Sequence, residues 1–125
     1  MGSPKAIISD KAVERVRAGH LWTYRSDVSE CDASGGSVVS LFDKKGRFYG
    51  KAFYSSTSLI TLRLLTRADE PIDRNFWLNR VEQAIQLRHR VVKDTEVYRL
   101  VHGEGDGMPS IVVDRYGEIL CLQTL

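Results

Sequence analysis

The densest cluster of groups that could do chemistry is Gly103-Glu104-Gly105-Asp106-Gly107, closed by Met108-Pro109 and followed by Asp114. Glycines at alternate positions allow a tight path, so this is a shaped loop between two extended segments. Glu104, Asp106 and Asp114 are hard oxygen donors of the kind that hold magnesium or calcium, but a complete calcium-loop spacing is missing. The same carboxylates could accept loop amides or pair with Arg99 and Arg115. The glycine spacing is also part of a dinucleotide fingerprint, which needs a helix N-terminus directly behind it to face a pyrophosphate. Here Pro109 and the β-branched run Ile111-Val112-Val113 follow, so no cofactor and no metal are assigned to the loop.

Nucleophiles give less. Cys31 and Cys121 lie far apart, with no metal-ligand spacing and no obvious activating base beside either. Both read as small buried or incidental thiols. The three histidines, with Ser and Asp, form no triad-like arrangement, and no catalytic residue is assigned. No apolar stretch approaches the roughly 20 residues that span a bilayer, and the N-terminus lacks a secretory pattern. Sparse cysteine then favours a reducing cytoplasm.

The basic residues are more informative. Net charge is only +2, but residues 1–67 hold 11 Lys/Arg against 6 Asp/Glu, whereas residues 68–125 hold 7 against 10. That asymmetry favours nucleic-acid contact through the N-terminal part. Arg15 and Arg17 close a short helix next to Gly19 and His20, and Lys44, Lys45, Arg47 and Lys51 decorate a hairpin. Guanidinium groups grip phosphate through forked hydrogen bonds, while lysines add less directional attraction. His20 could stack on a base or serve as a turn residue. Trp22 and Tyr24 alternate along a strand, one face of which should be core, with base stacking the alternative role for these rings. Arg63 points outward or anchors an acid such as Asp27.

These groups need elements to hold them. Lys5–Ile8 predicts a strand, and Asp10–Ala18 a helix capped by Asp10 and stopped by Gly19. Leu21–Tyr24, Val38–Phe42, Phe48–Tyr54 and Ser58–Leu65 read as strands, with Asp43-Lys44-Lys45-Gly46 a hairpin turn. Short strands at this spacing indicate a small β-barrel. The character changes near Ala68-Asp69-Glu70-Pro71. Asp73 then caps a helix to about Val91, with Trp77, Val81, Ala84, Ile85 and Arg88 on one face. Ile119–Leu125 is a last strand, paired back through an Asp114–Gly117 turn, with an outer edge that lacks a neighbour.

Three motifs carry a family resemblance. Tyr98 to Gly117 resembles the Arg-x-x-Asn-Gly-Glu-x-Asp-x-Leu-Pro-Gly-Leu-x-Val-Asp-x-Tyr-Gly pattern of the rRNA large subunit methyltransferase I family, with His102 and Ser110 standing for its Asn and Gly. Gly19-His20-Leu21-Trp22-Thr23-Tyr24 resembles its Gly-His-Pro-Trp-Val-Phe. Tyr54 to Leu65 resembles its Tyr-Asn-Pro-x-Ser-x-Ile-x-x-Arg-x-Leu. They fall in the family's order. The resemblance implies an S-adenosylmethionine-dependent rRNA (cytosine-5) methyltransferase with a PUA RNA-binding domain, a central α/β domain and a catalytic domain.

The expectation is therefore a mainly β chain with α (α+β). Residues 1–68 would form a PUA-like β-barrel, and 69–125 the first part of a mixed α/β domain, with the catalytic domain absent. The resemblance implies that Arg15, Arg17, Gly19 and His20 contact RNA, and the basic hairpin of Lys44, Lys45, Arg47 and Lys51 could extend that face. S-adenosylmethionine belongs to the parent enzyme and to no residue here. The alternative is a free-standing PUA-like adaptor that binds a protein or a second copy along the C-terminal strand.

Overall fold

The structure, a computed structural model, describes residues 3–124 and divides into two units, residues 1–70 and 71–125. In the first unit, β1 (Lys5–Ile8), β2 (Trp22–Tyr24), β3 (Val28–Cys31), β4 (Val38–Phe42), β5 (Phe48–Tyr54) and β6 (Ile60–Thr66) form one sheet in the order β2-β6-β5-β4-β1-β3. The sheet curls into a half-barrel. Its pairings are antiparallel except β1 with β4, where the long connection that a parallel pair demands includes helix α1 (Asp10–Arg17).

Alternation builds the core. Ala6 and Ile8, Val39 and Leu41, Ala52, and Leu62 and Leu64 turn inward from their strands, and α1 lays Ala12, Val13 and Val16 against them. Burying a Leu or Ile stabilises by about 1.5–3 kcal/mol, so this layer dominates the unit's stability. Helix α1 starts at Ser9, whose Oγ accepts the Ala12 amide at 3.2 Å, and not at the predicted cap Asp10. Asp10 is instead the first helical residue, where its charge favours the positive helix end.

Strand β3 has no counterpart in the sequence reading. Val-Ser-Glu-Cys carries no clear apolar alternation, and it is extended because it pairs with β1 at the sheet's edge. Strand β2 begins at Trp22, β6 at Ile60. Ser58 shapes the turn before β6 through its hydroxyl, which accepts the Ile60 amide at 3.1 Å.

The second unit places α2 (Arg74–Val91) on a three-stranded antiparallel sheet of β7 (Val97–His102), β8 (Ile111–Tyr116) and β9 (Ile119–Thr124). Asp73 caps α2 by accepting the Phe76 amide at 2.9 Å. Trp77, Val81 and Ala84 pack with Leu100, Val101, Met108, Ile111 and Val113. The predicted turn at Asp114–Gly117 is shorter than expected: Asp114, Arg115 and Tyr116 are paired in β8, and Gly117-Glu118 alone reverses the chain. Among the described residues strand β9 pairs only with β8, and it is exposed throughout, with Ile119 at 68%, Leu120 at 60% and Leu122 at 65%. Leu125 lies outside the described residues.

Candidate nucleic-acid interface

The C-terminal end of α1 is the organising point. Ala18 is its cap, Gly19 follows at φ +101°, and the Gly19 and His20 amides donate to the Val16 and Arg15 carbonyls at 3.1 and 3.0 Å. This is the paired closure that requires a residue with positive φ after the cap. A Cβ on Gly19 would meet nothing within 4 Å, so the position needs glycine for its backbone angle and not for space. His20 is exposed, and its backbone, not its ring, completes the turn.

Three arginines meet here. Arg15 is half-buried and lies 3.9 Å from Asp27, with its own side chain 38% exposed. At that separation and exposure the pair contributes little and leaves the guanidinium facing water. Arg17 is exposed and lies over the Tyr49 ring, 5.5 Å from its centroid. Arg67, just past β6, donates from Nη2 to the Val16 carbonyl at 3.1 Å. That bond offsets the negative end of the helix dipole, which would otherwise repel a phosphate. Arg67 was not singled out in the sequence, because its partner lies 51 positions away.

The hairpin between β4 and β5 joins the same surface through Tyr49. Asp43 is 2% exposed, and its carboxylate organises the turn. Oδ1 accepts the Lys45 and Arg47 amides at 2.9 Å each, while Oδ2 accepts Arg47 Nε at 2.7 Å and the Tyr49 hydroxyl at 2.9 Å. Burial pushes the Asp43 carboxyl up, but these four donors outweigh it and hold the group far below the usual carboxylate range. Lys44 and Lys45 are exposed at the tip, and Arg47 stays 60% exposed despite its pairing. Lys51 differs. Its side chain is 15% exposed, and its ammonium donates to the Glu70 carbonyl at 2.7 Å and lies 3.5 Å from Asp69. It braces the end of the first unit.

Asp27 accepts the Ser9 hydroxyl at 3.1 Å and faces Arg15. Trp22 and Tyr24 are not core: Thr23 between them turns inward at 4% exposure.

The glycine loop of the second unit is a clamp. Gly103–Asp106 forms a 3-10 turn, Gly107 follows at φ +70°, and the chain runs through Pro109 into β8 with no helix behind it. Arg88 grips Asp106 with two parallel bonds of 2.5 and 2.8 Å, and its Nε donates to the Arg99 carbonyl at 3.1 Å. Asp106 also accepts the His102 amide at 2.7 Å. Burial raises the Asp106 carboxyl, yet the Arg88 bonds and this amide bring it below its ordinary value. Asp114 takes Arg99 at 2.8 and 3.1 Å, which lowers its carboxyl. Arg115 bonds the Tyr98 hydroxyl and the Gly117 carbonyl instead of an acid. No group of three or more His, Cys, Asp or Glu among the described residues could hold a metal ion. Cys121 is exposed on β9, Cys31 half-buried, and both are free thiols. No described helix is long and apolar enough to cross a membrane.

Comparison with known proteins agrees with this architecture. The PUA-like domain family matches residues 6–67. A ribosomal RNA large subunit methyltransferase I of Vibrio cholerae is 35% identical over 114 residues, covering 88% of this chain and 29% of that protein. A ribosomal RNA large subunit methyltransferase of Deinococcus radiodurans is 33% identical, covering 93% of this chain and 31% of that protein. The chain thus spans about three-tenths of the length of the curated relatives it matches. A solved structure described as a SAM-dependent methyltransferase from Streptococcus mutans superposes with a TM-score of 0.82 at 18% identity, over 94% of this chain and 32% of that one. Residues 6–67 are a PUA-like domain, and about nine-tenths of the chain is homologous to proteins named ribosomal RNA large subunit methyltransferase.

Proposed function

We propose that this chain recognises structured ribosomal RNA on behalf of an S-adenosylmethionine-dependent rRNA (cytosine-5) methyltransferase, in the cytoplasm where ribosomal RNA is handled. The observation that carries the reading is the convergence of Arg15, Arg17 and Arg67 on one helix end, tied through Tyr49 to the basic hairpin. Gly19 and His20 lay the backbone close to that surface, and Lys44, Lys45 and Arg47 extend it. Lys51, committed to Glu70 and Asp69, supports the scaffold.

Docking in this reading is electrostatic. Guanidinium groups displace counterions from phosphates, which fixes the orientation of the RNA without reading its sequence. The methyl donor supplies an activated methyl group when bound to the parent enzyme, and no methyl-transfer step is assigned to residues of this chain. A labelled rRNA stem-loop, titrated by fluorescence polarisation with and without the methyl donor, tests the reading. Saturable binding unaffected by the donor is expected. Absence of binding at low salt would remove the proposal.

A further inference from the structure

The outer face of the half-barrel carries a second set of groups that the helix end does not use. Trp22 is 40% exposed and Tyr24 41%, both on the edge strand β2. The register sets Trp22 opposite Arg63, and Arg63 opposite Phe53, so all three share one face across β2, β6 and β5. Leu62 and Leu64 on either side of Arg63, and Ala52 beside Phe53, turn into the core and fix that face as outward. The Arg63 guanidinium lies over the Trp22 ring, 5.7 Å from its centroid.

The charge of this face is one-sided. Strands β2, β5 and β6 contain no Asp or Glu, and Arg63 is the cation beside the rings; Lys51 on β5 is held by Asp69 and Glu70, and Arg25 after β2 by the Thr57 carbonyl. Exposed rings on a sheet, with a cation stacked beside them, complement the two things an unpaired nucleotide offers: the π face of its base and its phosphate. Trp22 and Tyr24 are two residues apart on a strand, hence separated by about 7 Å along it. That places two rings side by side within reach of neighbouring nucleotides.

We propose that Trp22, Tyr24 and Arg63 form a stacking platform for unpaired bases of RNA, separate from the phosphate-gripping end of α1. The proposal rests on RNA being the partner and assigns to this face a different task. The helix end positions the backbone, whereas the platform selects a loop, bulge or strand whose bases are splayed out.

Tryptophan emission reads the platform directly. Trp22 and Trp77 are the chain's two tryptophans, so a Trp77→Phe background leaves Trp22 as the reporter. A single-stranded oligouridylate of about eight nucleotides should quench it saturably. In polarisation with the same oligonucleotide, Trp22→Ala and Arg63→Gln should each raise Kd on the order of tenfold. Trp22→Phe, which keeps a stacking ring, should recover part of that loss, and urea midpoints equal to wild type control for folding. Replacing Arg15 and Arg17 by Ala should leave the saturated quench unchanged. If emission does not respond while a stem-loop still binds, the platform is refuted and the helix-end reading stands. If the oligonucleotide quenches but no stem-loop effect of Arg15 and Arg17 is found, the platform stands and the helix-end reading falls. Equal affinity of Trp22→Ala and wild type for the oligonucleotide would also overturn it.

Discussion

The guanidinium of Arg17 lies over the ring of Tyr49, 5.5 Å from its centroid, and the hydroxyl of that same tyrosine donates to Asp43 at 2.9 Å. One side chain thus ties the end of α1 to the hairpin turn. The two basic groups that look separate in the sequence are neighbours on one surface, and the buried carboxylate beneath them sets the hairpin's shape.

Acid should loosen this arrangement. Asp43, Asp106 and Asp114 are all held below their ordinary value of 3.8 in the folded chain. Each then binds a proton less readily folded than unfolded. Their stabilising contribution is present above about pH 4 and is lost as pH falls below it. Thermal melts should be level on this account from about pH 5 to 7 and drop steeply toward pH 3. Asp43→Asn should lower the neutral-pH Tm and flatten the acid limb; an unchanged limb would contradict the assignment.

Arg88 and Asp106 form the buried clamp between α2 and the glycine loop, with side chains 12% and 7% exposed. Arg88→Ala leaves that carboxylate buried without its cation and should cost on the order of 3 kcal/mol. Urea denaturation measures it, and the loss should exceed that of Arg99→Ala, whose partner Asp114 is more exposed.

Ser110 adopts φ +68°, a backbone angle that side chains disfavour. It stands where the resembled pattern has glycine. Ser110→Gly should therefore raise stability by about 0.5–1 kcal/mol, seen as a higher urea midpoint at unchanged slope. A lower midpoint would show that the serine hydroxyl contributes more than the strain costs.

Much of this was legible in the residues. The strands β1, β4 and β5 and both helices follow from apolar alternation, helical spacing and capping, and Gly19 announces the turn that presents Arg15 and Arg17. What escaped was long-range. Strand β3 is extended only because β1 recruits it, and Arg67 joins the helix end across 51 positions. That one side of β2 is core was legible, but alternation left open which side: the small Thr23 turns inward, and Trp22 and Tyr24 face out. Asp106 found Arg88 instead of a nearer arginine because α2 packs over the loop.

Strand β9 presents an uncharged, mostly apolar sequence exposed on both faces, with one edge unpaired among the described residues. Such an edge invites another strand. The chain by itself should self-associate with rising concentration, and Leu122→Lys should return it to a monomer in light scattering. A wild-type chain monomeric at all concentrations would exclude pairing through this edge.

Salt dependence tests the central claim most directly. Each phosphate contact to a guanidinium contributes roughly 0.7–0.9 to the slope of log Kd against log salt. Replacing Arg15 and Arg17 by Ala should weaken stem-loop binding and reduce that slope by about 1–2. An identical slope and affinity in the double variant would mean that RNA, if it binds, does not dock on the end of α1.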